Sequence, residues 1–273
     1  MGRQKYQVAA VQMTSTEDVE SNLAEAIRQV RRAAARGARL VALPENFAWL
    51  RSEGERVDFR TDLEGDVVGR MAEEARSAGV TLLLGSIPER IPRSRRIYNT
   101  SVLIGPDGNR LAFYRKMHLF DIAIRGGVTL MESKNVKPGD DTVVADTELG
   151  FFGLSICYDL RFPELYRRLA LDGAEVLFVP AAFTAYTGPH HWLPLLRARA
   201  IENQCWVVAP AQVGCHNSKR ESHGETVVID PWGKVVARKA RGRGAVFAEI
   251  DLRTVRRVRR GLPCLTHTRP SLI

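Results

Sequence analysis

Glu45, Lys116 and Cys157 share one description: each stands directly after a strand-like run, at a point where the chain turns polar. A thiol, a carboxylate to take its proton and an ammonium to hold a developing oxyanion are together sufficient for acyl transfer. Ligands of open α/β sheets bind beyond the carboxyl ends of strands, so side chains at those ends are the ones that converge. Each residue also has a plainer role open to it. Cys157 could be a small core hydrophobe, Glu45 could cap the segment that begins at Asn46, and Lys116 could be a surface charge beside Arg115.

The elements that must position these residues follow from the hydrophobic pattern. Phe151 to Ile156 reads as a buried strand ending at Cys157, and Pro163 suits the first position of a helix because its φ is already fixed there. Cys157 therefore sits on a strand-to-helix elbow, where the nearby helix start would favour thiolate. Tyr6 to Met13 is a strand, and Val19 to Arg36 is a helix with Leu23, Ala26, Ile27 and Val30 on one face, ended by Gly37. Arg39 to Pro44 is a second strand, delivering Glu45, and the order strand, helix, strand predicts a parallel pair. Asp66 to Ala78 is a further helix, followed by Val80 to Gly85 as a strand buried on both faces.

Tyr98 to Ile104 and Arg110 to Arg115 flank Gly105-Pro106-Asp107-Gly108-Asn109, which predicts a hairpin ending at Lys116. After Lys116-Met117-His118-Leu119-Phe120 there is no clear periodicity to about Asp141. A long irregular stretch of this kind is often functional, and it contains Glu132. The second half repeats the theme, with helices over Pro163 to Leu171 and Pro189 to Asn203, strands over Glu175 to Pro180 and Cys205 to Pro210, a hairpin turning at Pro231-Trp232-Gly233, and a last strand from Gly244 to Ile250. Parallel units followed by a hairpin, twice over, predict a layered sandwich.

With 45% hydrophobic and 26% charged residues the chain is excluded from the disordered and fibrous classes. Residues 1–7 run straight into the first strand pattern, and no apolar segment reaches membrane-spanning length. Cys157, Cys205, Cys215 and Cys264 are scattered without a CxxC pair, which fits free thiols in the cytoplasm. His190-His191 and Cys215-His216 with His223 lack ligand spacing, so no metal is expected. The net charge of +9 is concentrated in Arg238 to Arg243 and Arg253 to Arg260. These runs read as solvated faces, and without stacking aromatics or a nucleic-acid motif, nucleic acid is not the expected partner.

Leu43-Pro44-Glu45, Tyr114-Arg115-Lys116-Met117-His118-Leu119 and Ile156-Cys157-Tyr158-Asp159-Leu160-Arg161-Phe162-Pro163-Glu164 resemble, in order, the three motifs of the nitrilase superfamily of carbon-nitrogen hydrolases. The likeness continues through Phe183 to Pro189, Arg197 to Cys205 and Asp230-Pro231-Trp232-Gly233. Within the superfamily the chain is most similar to the branch of the deaminated glutathione amidases, with the ω-amidases next. The resemblance implies an α/β fold, a four-layer αββα sandwich forming one domain over residues 1–273. It also implies a homodimer packed through helices, or a higher homo-oligomer; residues 251–273, with Pro263 and Pro270, are expected to form a tail able to reach a partner.

The resemblance further implies Glu45 as base, Lys116 as oxyanion stabiliser and Cys157 as nucleophile, with no cofactor. Glu132 is placed as a second glutamate, holding Lys116 and keeping it charged. The backbone N–H of Tyr158 is the expected second oxyanion donor. The expected reaction is amide hydrolysis through a thioester on a small carboxylated amide, converting deaminated glutathione to 2-oxoglutarate and Cys-Gly. α-Ketoglutaramate and N-carbamoyl amides are the alternative substrates. Arg161 is the candidate grip on a substrate carboxylate, with Thr184 as helper, although a structural pair with Asp159 or Glu164 is equally open to it. A non-catalytic scaffold and a basic nucleic-acid binder are the rival classes; the presence of every catalytic residue type argues against the first.

Overall fold

The computed structural model of the chain describes residues 5–51, 57–123 and 129–269. Its first half lays down β1 (Lys5–Gln12), α1 (Val19–Ala35), β2 (Leu40–Ala42), α2 (Asp66–Ala78), β3 (Thr81–Arg90), β4 (Ile97–Ile104) and β5 (Arg110–Arg115). A short ribbon of β6 (Asp121–Ala123) and β7 (Thr129–Met131) follows. The second half comprises β8 (Val144–Thr147), β9 (Gly150–Leu154), α3 (Pro163–Leu171), β10 (Val176–Phe178), α4 (Gly188–Asn203) and β11 (Trp206–Ala209). After these come the hairpin of β12 (Val213–Asn217) and β13 (Arg220–His223), then β14 (Thr226–Ile229), β15 (Val235–Lys239), β16 (Gly244–Asp251) and α5 (Leu252–Gly261).

Two six-stranded sheets result, in the orders β16-β1-β2-β3-β4-β5 and β15-β14-β11-β10-β9-β8. Period-two alternation decides what each face touches. In β1, Ala9 and Val11 pack with Leu23, Ala26 and Val30 of α1 and Met71 and Ala75 of α2. Val8 and Ala10 face the other way, into a core shared with Phe152, Phe178 and Val208 of the second sheet. That sheet is covered in turn by Leu165 and Leu169 of α3 and Trp192 and Leu196 of α4. The layers are thus αββα, as expected. α1 begins where the Asp18 carboxylate accepts from Ser21 N–H at 3.0 Å, and it ends at Gly37 with φ +85°.

Several expectations change in detail. The run before Cys157 is the second strand of a hairpin with β8, and it also pairs in parallel with β10. β16 crosses back to pair antiparallel with β1, so the last strand completes the first sheet. The irregular stretch after Lys116 contains the β6–β7 ribbon and a 3₁₀ turn over Glu132–Lys134.

The basic run near the end is α5, whose Leu252, Val255 and Val258 are buried at helical spacing. Arg259 is only partly exposed: its guanidinium donates to Ala174 O at 2.6 Å. Pro270, part of the expected tail, lies outside the described residues. No helix among the described residues is long and apolar enough to cross a membrane.

Candidate active site

Glu45 sits three residues beyond β2, and its backbone is held on both sides. Leu43 N–H continues the sheet ladder to Leu83 O at 2.9 Å, Asn46 N–H donates to Ser86 Oγ at 2.9 Å, and Gln212 Nε2 donates to Glu45 O at 2.9 Å. Gly85 makes this approach feasible, since a Cβ there would lie 2.1 Å from Leu43 O. The Glu45 carboxylate is buried, and Asn46 N–H is taken by Ser86 rather than by it. It accepts from Ala182 N–H at 2.8 Å, Asn99 Nδ2 at 2.9 Å and Lys116 Nζ at 3.1 Å.

Lys116 is the first residue past β5, and its N–H extends the hairpin ladder to Asn99 O at 2.9 Å. It is 2% exposed, which removes the surface-charge alternative. Nζ contacts both oxygens of Glu132, at 2.9 and 3.1 Å, as well as Glu45. Glu132 is in turn held by Phe120 N–H at 2.7 Å. Asn99, absent from the sequence reading, donates to Glu45 and, at 3.4 Å, to Glu132. Its one sequence signal is register, since it is the residue opposite Lys116 in the hairpin. Burial works against the ammonium, yet the charges of Glu132 and Glu45 raise its pKa above that of an ordinary lysine. Burial would likewise raise the Glu45 carboxyl, but Lys116 and hydrogen bonds from Cys157 and Ala182 outweigh it and hold its pKa below the ordinary value.

Cys157 has φ +48°, a left-handed conformation that a non-glycine residue adopts only where its surroundings enforce it. Here Cys157 N–H donates to Pro180 O at 2.9 Å, and the preceding amide, Ile156 N–H, donates to Asp159 Oδ2 at 2.9 Å. Asp159 also accepts from Tyr114 O–H at 2.7 Å and His118 N–H at 3.0 Å, while His118 Nδ1 lies 2.8 Å from it. One wholly buried carboxylate therefore ties the loop carrying Lys116 to the elbow carrying Cys157. The thiol is not the thiolate that a helix start would favour. α3 begins only at Pro163, and burial followed by the Glu45 charge pushes the Cys157 pKa well above that of a free thiol. Burial and the Glu45 charge thus favour the neutral thiol, while Lys116 favours the ionised Glu45 carboxylate beside it.

A family model for carbon-nitrogen hydrolases matches residues 7–260. The chain belongs to the carbon-nitrogen hydrolase family. This carbon-nitrogen hydrolase is 46% identical over 265 residues to the deaminated glutathione amidase of a Synechocystis species, covering 96% of this chain and 97% of that one. It is 45% identical over 270 residues to the Homo sapiens deaminated glutathione amidase, covering 97% and 83% respectively. In structure it is similar to the NitFhit protein of C. elegans, with TM-score 0.93 and 42% identity over 100% of this chain and 67% of that one. It is also similar to Saccharomyces cerevisiae Nit3, a member of branch 10 of the nitrilase superfamily, with TM-score 0.87, 33% identity and coverage of 100% and 98%.

In this hydrolase a cleft of about 700 Å³ opens on Glu45, Lys116, Glu132 and Cys157. A smaller pocket of about 220 Å³ adjoins it and brings Arg161 and Thr184 to the same cysteine. Arg161 contacts His191 Nδ1 at 3.2 Å and lies over the rings of Phe183 and Tyr158, at 5.2 and 5.7 Å. Asp159 is fully engaged elsewhere. Thr184 Oγ1 is 2.9 Å from Thr187 Oγ1. Arg220, on β13, lines the larger cleft and was not legible as a site residue.

The β12–β13 hairpin is anchored by buried His216, whose Nδ1 is 2.8 Å from Ser15 O and Nε2 2.8 Å from Ser222 Oγ. A carbonyl only accepts, so Nδ1 carries the proton and Nε2 accepts from Ser222. Burial lowers its pKa to about 4. The unfolded chain, titrating near about 6.5, therefore takes up this proton first. Stability is expected to fall as pH drops from about 6.5 towards about 4, by roughly 3 kcal/mol at the limit, with no further loss from this group below that. Thermal melts across the window check this, and a His216→Gln variant should show a flatter pH dependence; an unchanged slope would exclude His216 as its source.

Proposed function

We propose that this enzyme is a thiol amidase working through a Glu45–Lys116–Cys157 triad, with deaminated glutathione as substrate and 2-oxoglutarate and Cys-Gly as products. The observation that carries the reading is the buried Lys116 ammonium, within 3.1 Å of both Glu45 and Glu132 and lining the same cleft as Cys157. Glu45 takes the thiol proton as sulfur attacks the amide carbon. The oxyanion is bound by Lys116 and the Tyr158 N–H, while Glu132 holds Lys116 in place. As the C–N bond breaks, Glu45 returns its proton to the leaving nitrogen. Water then gives a proton to Glu45 and attacks the thioester, and the departing sulfur recovers that proton from Glu45. No step needs a cofactor.

Arg161, with Thr184, is the proposed grip on the carboxylate of the acyl group, a role supported by its place in the pocket beside Cys157. The relatives' names support the choice of amide. α-Ketoglutaramate carries the same acyl group and is the second substrate the Arg161 pocket favours. We also propose a single domain acting as a homodimer in the cytoplasm. Exposed Leu171 and Ile201 on the α3–α4 layer, with Trp232 on the neighbouring turn, support pairing through that layer; the segment beyond Gly261 would reach the partner. The four free cysteines support a reducing compartment.

The test is release of 2-oxoglutarate by the purified protein from each compound. Release from deaminated glutathione at the higher kcat/KM is expected, and release from neither would overturn the substrate.

A further inference from the structure

Cys157, Phe120 and Ala182 line both the larger cleft and the smaller pocket, so a substrate that reaches the sulfur can extend in two directions. Glu45 decides which part goes where. It must hand its proton to the leaving nitrogen, and it lines the larger cleft but not the smaller pocket. The amine portion therefore occupies the larger cleft, and the acyl tail points at Arg161. Arg220 lines that larger cleft, beside Arg51. Arg220 Nη1 donates to Arg51 O at 3.4 Å.

Arg220 opens β13, which is fixed by Ser222 pairing with Thr184, by Ala185 N–H donating to Glu221 O at 3.2 Å, and by His216. The arginine is thus carried on a strand tied to the wall of the small pocket, and its position relative to Cys157 is set by the fold. Its charge is felt at the centre of the site, being one of the influences that lower the Glu45 pKa.

We infer that Arg220 forms a second carboxylate subsite, recognising an acidic group on the leaving amine, so that the enzyme selects amides carrying a carboxylate on each side of the scissile bond. This rests on the amidase reading above and deepens it. An amino acid or dipeptide leaving group uses the subsite; ammonia, released from a simple terminal amide, does not. A guanidinium suits the role because its planar donors match a carboxylate bidentately.

The experiment compares deaminated glutathione with its C-terminal amide, which lacks only the carboxylate on the leaving side, by 2-oxoglutarate release from the wild type, Arg220→Ala and Arg220→Lys. The wild type is expected to favour the acid by at least about tenfold in kcat/KM, as befits a hydrogen-bonded charge. Arg220→Ala should erase that preference, and Arg220→Lys should keep part of it. Should the alanine variant not fold, Arg220→Gln makes the same comparison. A wild type that hydrolyses acid and amide alike, or an alanine variant that still prefers the acid, would overturn the subsite and leave the amidase reading standing. A wild type that releases nothing from either overturns the reading, and the subsite with it.

Discussion

Lys116→Met is expected to lower kcat/KM by roughly 10³ or more. Loss of one oxyanion donor alone costs roughly 10²–10³, and in the proposed mechanism the same side chain also serves the base. Nζ lies between Glu45 and Glu132, and the Asn99 amide bridges the two carboxylates on another side. Without the ammonium, the buried Glu45 and the part-buried Glu132 carboxylates face each other with no cation between them. Like charges in one site force a pKa upwards, so Glu45 loses the influence that keeps it ionised and competent to take the thiol proton. The rising limb of the kcat/KM pH profile should move to higher pH, and stability at neutral pH should fall. The double variant Lys116→Met, Glu132→Gln removes the surplus charge. It should recover stability without recovering activity, separating the structural part of the effect from the chemical part. A loss below about tenfold with an unmoved limb would take Lys116 out of the chemistry.

The residues legible in the sequence were those whose placement depends on local pattern. Glu45, Lys116 and Cys157 each end an apolar or alternating run, and such a run states both the element and the end at which a polar group emerges. Glu132 was reached through the family motif, because the turn that delivers it lies in a stretch without periodicity. Asn99 was invisible for a different reason. Within Tyr98-Asn99-Thr100 it looks like any strand residue, and only cross-hairpin register sets it against Lys116. Arg220 belongs to β12–β13, whose glycine, histidines and serine give no apolar alternation. The sequence shows the helix-opening Pro163, which favours thiolate at Cys157, but not the depth of burial, and burial pushes the Cys157 pKa the other way. Likewise the arginines from Arg253 to Arg260 concealed an amphipathic helix whose three aliphatic residues are enough to seat it.

Asp159 shows what the chain's pattern withholds, and Asp159→Asn is expected to cost both stability and turnover. In sequence it was at most a partner for Arg161; in the fold its two oxygens receive four contacts. Oδ1 faces the His118 N–H and Nδ1, while Oδ2 faces the Tyr114 hydroxyl and the Ile156 N–H. An asparagine of the same shape must turn its NH₂ towards one of these pairs. Towards His118 the ring nitrogen can change tautomer to accept, but the His118 N–H loses its acceptor. Towards Tyr114 the hydroxyl can rotate to accept, but the Ile156 N–H is left buried without an acceptor, and each such orphan costs roughly 1–3 kcal/mol. Either outcome lands on the proposed catalytic geometry, since Ile156 precedes the left-handed Cys157 and His118 lies two residues past Lys116. A misplacement of about 1 Å costs on the order of 10²-fold in rate. Asp159 lines neither pocket at Cys157, so the loss should appear in kcat with KM little changed. A lower melting temperature with wild-type kcat would confine Asp159 to stability. Wild-type melting with wild-type kcat would mean that its four partners find other acceptors, and that the nucleophile and the oxyanion donor are held in register by something else.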